Sequence, residues 1–140
     1  MTTKPTPPRK TIRVILDTNA MFVPIQLKID IFQELKRLLN RNYEPVLLKP
    51  IQRELERLTR EGSPQTKKRA SYALKLAEKC TVVAVNEAAA SPDDIIFQTA
   101  RRWNSPVFTN DRELREKLRN INVPVIYVRQ KSRLEIDGRL

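Results

Sequence analysis

The 140-residue sequence has no histidine, only two glycines, Gly62 and Gly138, and one cysteine, Cys80. Each shortage removes a chemistry. Without imidazole there is no Ser-His-Asp or Cys-His relay, and without grouped Cys and His there is no structural zinc site. Loops that wrap phosphates need several glycines close together, and two isolated ones do not make such a loop. One thiol cannot form an intrachain disulfide; Cys80, between a helical pattern and an apolar run, reads as a small buried apolar residue. No apolar run approaches the ~20 residues needed to cross a bilayer. The opening Met1 to Lys10 is polar and Pro-rich, unlike a secretory leader. The expected setting is therefore cytoplasmic, with no membrane partner and no organic cofactor. Any catalysis must run on carboxylates, hydroxyls, lysine or arginine.

Positive charge, by contrast, is abundant. Lys and Arg total 27 against 16 Asp and Glu, a formal net charge of +11. Such a field attracts polyanions, because each neutralised phosphate releases condensed counterions. The leading partner is RNA or DNA. A chain of this length fits one domain with a real core.

Residues 1–10, with Pro5, Pro7 and Pro8 among small polar groups, predict a flexible basic arm. Ile12-Arg13-Val14-Ile15-Leu16 predicts a buried strand, as do Pro45 to Leu48, Thr81 to Val85, Pro106 to Thr109 and Pro124 to Val128. Helical spacing of apolar residues predicts a helix from about Leu27 to Asn40 and a second from Pro50 with Ile51, Leu55 and Leu58 inward. A third runs from about Thr66 to Lys79. A fourth opens at Ser91-Pro92 with Ile96, Ala100 and Trp103 in register, and a fifth, capped by Asn110 or Asp111, carries Leu114, Leu118 and Ile121. Short strands alternating with longer helices predict an α/β domain over 11–130, its sheet mostly parallel and covered on both faces. Residues 131–140 read as a basic C-terminal tail.

In such sheets, ligands bind beyond the carboxyl ends of the strands, where strand order reverses. Asp17 directly follows one strand and Asp111 follows another, while Asp93 and Asp94 open a helix whose amino end faces the same edge. Glu54 borders the buried stripe of its helix. Converging carboxylates repel by on the order of 4 kcal/mol per pair at about 4 Å with an effective dielectric near 20. A hard divalent cation such as Mg2+ or Mn2+ offsets that repulsion and suits an all-oxygen donor set. It also activates water and stabilises charge on a phosphoryl group. Each acid has a plainer reading as well: a cap for Asp17 or Asp111, a solvated charge for Glu54, a dipole-complementing first-turn acid for Asp93 or Asp94. The argument rests on their joint placement. Arg112, and Arg129, Lys131 and Arg133 near the end, suit phosphate contacts, or equally a solvated helix end and tail.

Four strings carry a family resemblance. Val14-Ile15-Leu16-Asp17-Thr18-Asn19-Ala20 resembles the opening signature of the PIN-domain nucleases, a hydrophobic strand closed by Asp-Thr-Asn. Ile51 to Leu58 around Glu54 resembles the family's second acidic helix, Pro92-Asp93-Asp94-Ile95-Ile96 its third motif and Thr109-Asn110-Asp111-Arg112-Glu113-Leu114 its fourth. All four occur in order, across roughly Thr11 to Arg133. Gln26 to Ile31 and Val123 to Val128 look most like the branch holding the small-subunit rRNA-processing endonucleases and their archaeal relatives. That branch's eukaryotic members carry additional Cys and His that this sequence lacks, so no zinc site is carried over.

The resemblance implies a Rossmann-like three-layer sandwich with a central, mostly parallel five-stranded sheet. It further implies an endoribonuclease site that uses Mg2+ or Mn2+, with Asp17, Glu54, Asp93 and Asp111 binding metal and activating water. Thr18, Asn19, Asp94 and Thr109 would support them. RNA, with pre-rRNA as one case, is the implied substrate, and a homodimer is a common state of such proteins. Two alternatives stay open: a toxin-type, VapC-like ribonuclease, and a catalytically silent RNA-binding module of ribosome assembly.

Overall fold

The computed structural model describes residues 11–87 and 90–140; the arm expected at 1–10 lies outside the described residues. The strands are β1 (Ile12–Leu16), β2 (Tyr43–Leu48), β3 (Thr81–Val83), β4 (Val107–Phe108), β5 (Val125–Arg129) and β6 (Arg133–Asp137). The helices are α1 (Thr18–Leu27), α2 (Ile31–Leu39), α3 (Lys49–Glu61), α4 (Pro64–Leu76), α5 (Pro92–Trp103) and α6 (Arg112–Asn120), with one 3-10 turn, Ala77–Lys79, after α4.

The strands form one sheet in the order β3-β2-β1-β4-β5-β6. Strands β1 to β5 run parallel, and β6 returns antiparallel to β5. From β1 the chain winds outward through β2 to β3, crosses back to β4 on the other flank of β1, and winds outward again. The reversal therefore falls between β1 and β4, which pair Ile15 with Val107 and Leu16 with Phe108. Right-handed crossovers then place helices on both faces: α1, α3 and α4 pack on one another, and α5 packs on α6. This is the expected three-layer α/β sandwich, with one more strand than expected.

The two strands are dry where they approach and meet at the reversal. Val14, Ile15 and Leu16 of β1 and Val107 and Phe108 of β4 are all 0% exposed. Continuous apolar runs of this kind belong to strands covered on both faces. Helix starts follow local chemistry: Ser63 caps α4 and Ser91 caps α5, each accepting from the backbone N–H three residues on, and Pro64 and Pro92 sit in the first turn, where a missing N–H costs nothing.

The helix expected over Leu27 to Asn40 is α2, which starts only at Ile31, and a further helix precedes it. Helix α1 ends at Leu27 with Lys28 left-handed at φ 57°, and α2 restarts where Asp30 accepts from the Gln33 N–H at 3.2 Å. Sequence periodicity missed α1 because Pro24 lies inside it and Ala20 to Val23 are apolar all round, so no stripe stands out. Strand β3 stops at Val83 rather than Val85, and β4 keeps only the two residues paired on both sides. Ile121 leaves the inward stripe of α6 and is 36% exposed at the helix end.

The largest correction concerns the basic tail. Residues Arg133–Asp137 form β6, with Leu134 fully buried, its N–H donated to Glu34 at 3.2 Å and its carbonyl accepting from Arg37 at 3.5 Å. The alternation Arg-Leu-Glu-Ile-Asp has the period of a strand, but its charges hid the apolar positions. Leu134→Ala is expected to cost about 2–5 kcal/mol of folding stability, measured by urea denaturation. A true tail would lose almost nothing.

Candidate active site

At the reversal point, β1 ends on Asp17 and β4 on Thr109. The Asp17 N–H donates to the Phe108 carbonyl and the Thr109 N–H to the Ile126 carbonyl, both at 3.0 Å, so sheet bonding fixes both residues. Asp17 is buried with 5% exposure and caps α1 through a 2.7 Å bond from the Thr18 N–H to Oδ1. Its Oδ2 accepts from the Thr109 hydroxyl at 2.6 Å and from the Asn19 amide at 3.0 Å. One carboxylate oxygen of Asp17 thus caps the helix, and the other faces a polar network.

That network ties three elements together. Asn19 Oδ1 accepts from the Asn110 N–H at 2.9 Å, while Asn110 Oδ1 accepts from the Val128 N–H at 2.8 Å. The Thr109 hydroxyl oxygen accepts from the Asp111 N–H at 3.1 Å, and Asp111 Oδ1 caps α6 by accepting from the Leu114 N–H at 3.2 Å. Asn19 and Thr109 hold Asp17 through their side chains and Thr18 holds it through its backbone. Asn110 was read only as a possible cap; its bridging role was invisible because it depends on where β5 ends.

Asp93 is the second residue of α5, at the helix end that faces this edge. Its carboxyl is pushed above the ordinary 3.8, first because neighbouring protein displaces water, then because Asp17 and Asp111 repel its charge; Lys117 opposes the shift. Asp17 is also raised from 3.8, chiefly by burial, with Asp111 adding to it while the bonds from Thr109, Thr18 and Asn19 hold it down. Asp93 thus feels the charge of Asp17 and Asp111, and Asp17 that of Asp111. Lys117 was not singled out in the sequence, since nothing in spacing alone relates it to Asp93.

The other acids differ. Asp94 exchanges bonds with its cap, accepting from the Ser91 hydroxyl at 2.9 Å while its N–H donates to Ser91 Oγ at 3.3 Å, and so locks the start of α5. Glu54 lies on α3, which leaves β2 on the same edge, but its carboxylate is held by Arg57 at 2.6 and 3.1 Å. It is not among the charges acting on Asp17 or Asp93. Among the described residues, no three His, Cys, Asp or Glu side chains form a ready-made metal cage. Even so, the donor chemistry fits a hard cation: oxygen ligands only, and mutual repulsion that a bound charge would relieve.

The raised values carry a sign. Between 3.8 and the raised values the folded chain holds protons that the unfolded chain has released, so metal-free stability falls as pH rises through that window. Asp93→Asn is accordingly expected to raise the melting temperature of the metal-free protein at neutral pH, by removing a repelled charge at an exposed position.

The basic residues spread along the neighbouring flank. Arg112, first residue of α6, is exposed and has no hydrogen-bond or ion-pair partner among the described residues. Arg129 and Arg133 both pair with Glu135, at 3.2 and 3.1 Å, and Lys131 sits in the left-handed turn between β5 and β6 at φ 56°. Cys80, expected to be buried, is only partly buried, and desolvation pushes its thiol up to about 12.

Comparison with known proteins agrees with this geometry. Residues 14–131 match the model of a family described as PIN like domain. The chain is 38% identical over 127 residues to "Ribonuclease VapC4" of Methanocaldococcus jannaschii, covering 90% of this chain and 97% of that protein. It is 27% identical over 123 residues to "Ribonuclease VapC9" of Archaeoglobus fulgidus, covering 88% and 87%. Among solved structures it superposes on the PIN domain endonuclease Utp24 with a TM-score of 0.77 and 27% identity, covering 91% of this chain and 92% of that one. The match of sequence and fold makes this chain a member of the PIN-domain family.

Proposed function

We propose that this chain is a divalent-metal-dependent endoribonuclease, hydrolysing RNA phosphodiester bonds at the edge where Asp17, Asp93 and Asp111 meet. The observation that carries the proposal is that Asp17 and Asp111 both bond to Thr109 at the strand-order reversal, with Asp93 near enough to be repelled by both, inside a chain of net charge +11. Repulsion of this kind is retained where it serves a bound cation. Its relatives' names, ribonuclease and endonuclease, support the same reading.

In this reading Asp17, Asp93 and Asp111 hold Mg2+ or Mn2+, and Glu54 completes the set by exchanging Arg57 for the ion. When bound, the metal would polarise a phosphoryl oxygen and lower the pKa of water. The chain's own contribution is placement. Asp17 is fixed by three donors, so it can present a ligand oxygen without rotating, and Asn19 and Thr109 hold that oxygen against the repulsion of Asp111. Lys117 moderates the charge on Asp93. The surrounding basic surface binds the RNA backbone, while Asp94 keeps the α5 start in place.

A pre-rRNA is the substrate that the resemblance to the rRNA-processing branch favours, acted on in the cytoplasm by a chain that forms a homodimer. The second reading is a toxin-type ribonuclease, favoured by the names of the two curated relatives. Growth arrest on expression, relieved by a co-encoded small protein, would select it. A silent assembly module is the reading least favoured by the coupled carboxylates.

Metal titration tests the site without relying on turnover. At about 100 times its dissociation constant, Mn2+ should add about 2.7 kcal/mol to wild-type stability, and almost nothing to Asp17→Asn or Asp93→Asn. Equal stabilisation of all three proteins would place the metal elsewhere and sink the assignment.

A further inference from the structure

Next to the acidic edge lies a cavity of about 350 Å³, lined by Thr109 and Asn110 on the side of the site and by Arg112, Arg115, Tyr127 and Arg129 beyond it. Its volume falls in the ordinary range of small-ligand sites. Strand β5 runs parallel to β4, so Tyr127 and Arg129 emerge on the edge that carries Asp17 and Asp111. The floor is rigid. Arg115 stacks on the Tyr127 ring at 3.8 Å and is pinned by Asp137 at 3.0 Å, while Glu135 accepts from the Tyr127 hydroxyl at 3.3 Å and from Arg129 at 3.2 Å. Arg115 and Arg129 are thus committed to carboxylates. Arg112, which also lines the cavity and directly follows Asp111 in the chain, is not. The next turn adds a further constraint: Gln130 and Lys131 are both left-handed, at φ 53° and 56°, without glycine at either position. Positive φ at both is what the tight turn of the β5–β6 hairpin requires, and it fixes the strand ends that line the cavity.

We propose that this cavity is a subsite for one unpaired nucleotide beside the scissile phosphate, with Arg112 binding its phosphate and the Tyr127–Arg115 stack supporting its base. The proposal rests on the ribonuclease reading and deepens it by naming the residues of this chain that would hold the nucleotide flanking the cut, on the side covered by β5 and β6. The chemistry fits such a nucleotide better than a duplex. A stacked aromatic and guanidinium offer flat surface to any unstacked base, and base–aromatic stacking is a main source of affinity for single strands. A paired base cannot reach that surface without leaving its helix.

The test is binding of a labelled single-stranded oligoribonucleotide by fluorescence anisotropy in EDTA, where no cutting competes. Arg112→Gln should weaken binding roughly five- to tenfold and reduce the slope of log K against log salt by about 0.7, the loss of one phosphate contact. Tyr127→Leu should weaken it about tenfold with the slope unchanged, and Tyr127→Phe should restore it. Arg102→Gln removes the same charge from the opposite end of α5 and should change affinity less than about twofold. Melting curves recorded alongside identify any variant that has lost its fold, and the Phe variant keeps the ring if the Leu variant fails.

Equal loss in Arg112→Gln and Arg102→Gln would mean a diffuse field and overturn the subsite. So would full binding by Tyr127→Leu, or equally tight binding of a blunt RNA duplex. Wild type that shows the expected binding pattern but never cuts with Mn2+ or Mg2+ would remove the nuclease reading and leave the subsite standing.

Discussion

Asp17→Asn is expected to lower RNA cleavage by on the order of 10²–10³-fold, the scale seen when one preorganised electrostatic contact to a reacting centre is removed. The substitution takes away the buried carboxylate on which the proposed metal set is anchored. It also disturbs the network in a known way. An amide at position 17 turns a donor toward the Asn19 amide and the Thr109 hydroxyl, which donate to Asp17 at 3.0 and 2.6 Å. Thr109 can rotate and accept instead, whereas the Asn19 amide loses its shorter bond and keeps only the one to the Thr109 hydroxyl oxygen at 3.3 Å, at a cost of about 1 kcal/mol. Relief of burying a repelled charge offsets part of that. The variant should therefore fold, and circular dichroism with thermal melting checks it. A folded Asp17→Asn protein that cleaves at the wild-type rate would remove Asp17 from the chemistry.

Phe108→Ala should be the most destabilising single substitution proposed for this chain. Phe108 is fully buried on β4, a strand of only two residues at the centre of the sheet. Its backbone pairs with Leu16 on one side and Ile126 on the other, so the ring sits directly beneath the acidic edge. Truncation to Ala costs about 3–5 kcal/mol in such a core, a large share of the 5–15 kcal/mol that holds a typical domain. Urea denaturation should show the transition midpoint falling at nearly constant slope. Because Thr109 follows directly, Asp17 should lose its 2.6 Å donor geometry too, and activity should fall further than the folded fraction alone explains.

Much of the architecture was legible because it is written in local chemistry. Val14-Ile15-Leu16 and Val107-Phe108 announce strands buried on both faces, and the Ser91-Pro92 opening fixes the start of α5 within a residue. Knowing that the strands are parallel was enough to send Asp17, Asp93 and Asp111 to one edge. Where local signals cancel, the reading failed: Pro24 and an all-apolar surface hid α1, and three charges in five residues hid β6. Contacts between distant segments were out of reach. No pattern on α6 reveals that Arg115 will meet Tyr127 and Asp137, or that Asn110 will bridge Asn19 to Val128. Glu54 shows the same limit from the other side. Its spacing places it beside the buried stripe, as observed, yet its engagement with Arg57 depends on rotamers that spacing does not fix.

The misread tail matters for function as well as fold. As a loose basic segment, Arg129, Lys131 and Arg133 would add only charge. As the β5–β6 hairpin they form a wall fixed to the sheet beside the carboxylates, with Glu135 tying Arg129 and Arg133 in place. Fixed cations position a strand, whereas mobile ones only raise its local concentration.

The most direct test is cleavage of end-labelled structured RNA by the purified protein in Mn2+, in Mg2+ and in EDTA, beside the Asp17→Asn/Asp93→Asn double variant prepared identically. The account predicts discrete internal cuts that need the metal, disappear in EDTA, return when metal is restored, and are absent from the double variant. Cutting that persists in EDTA, or that the double variant retains, would contradict it.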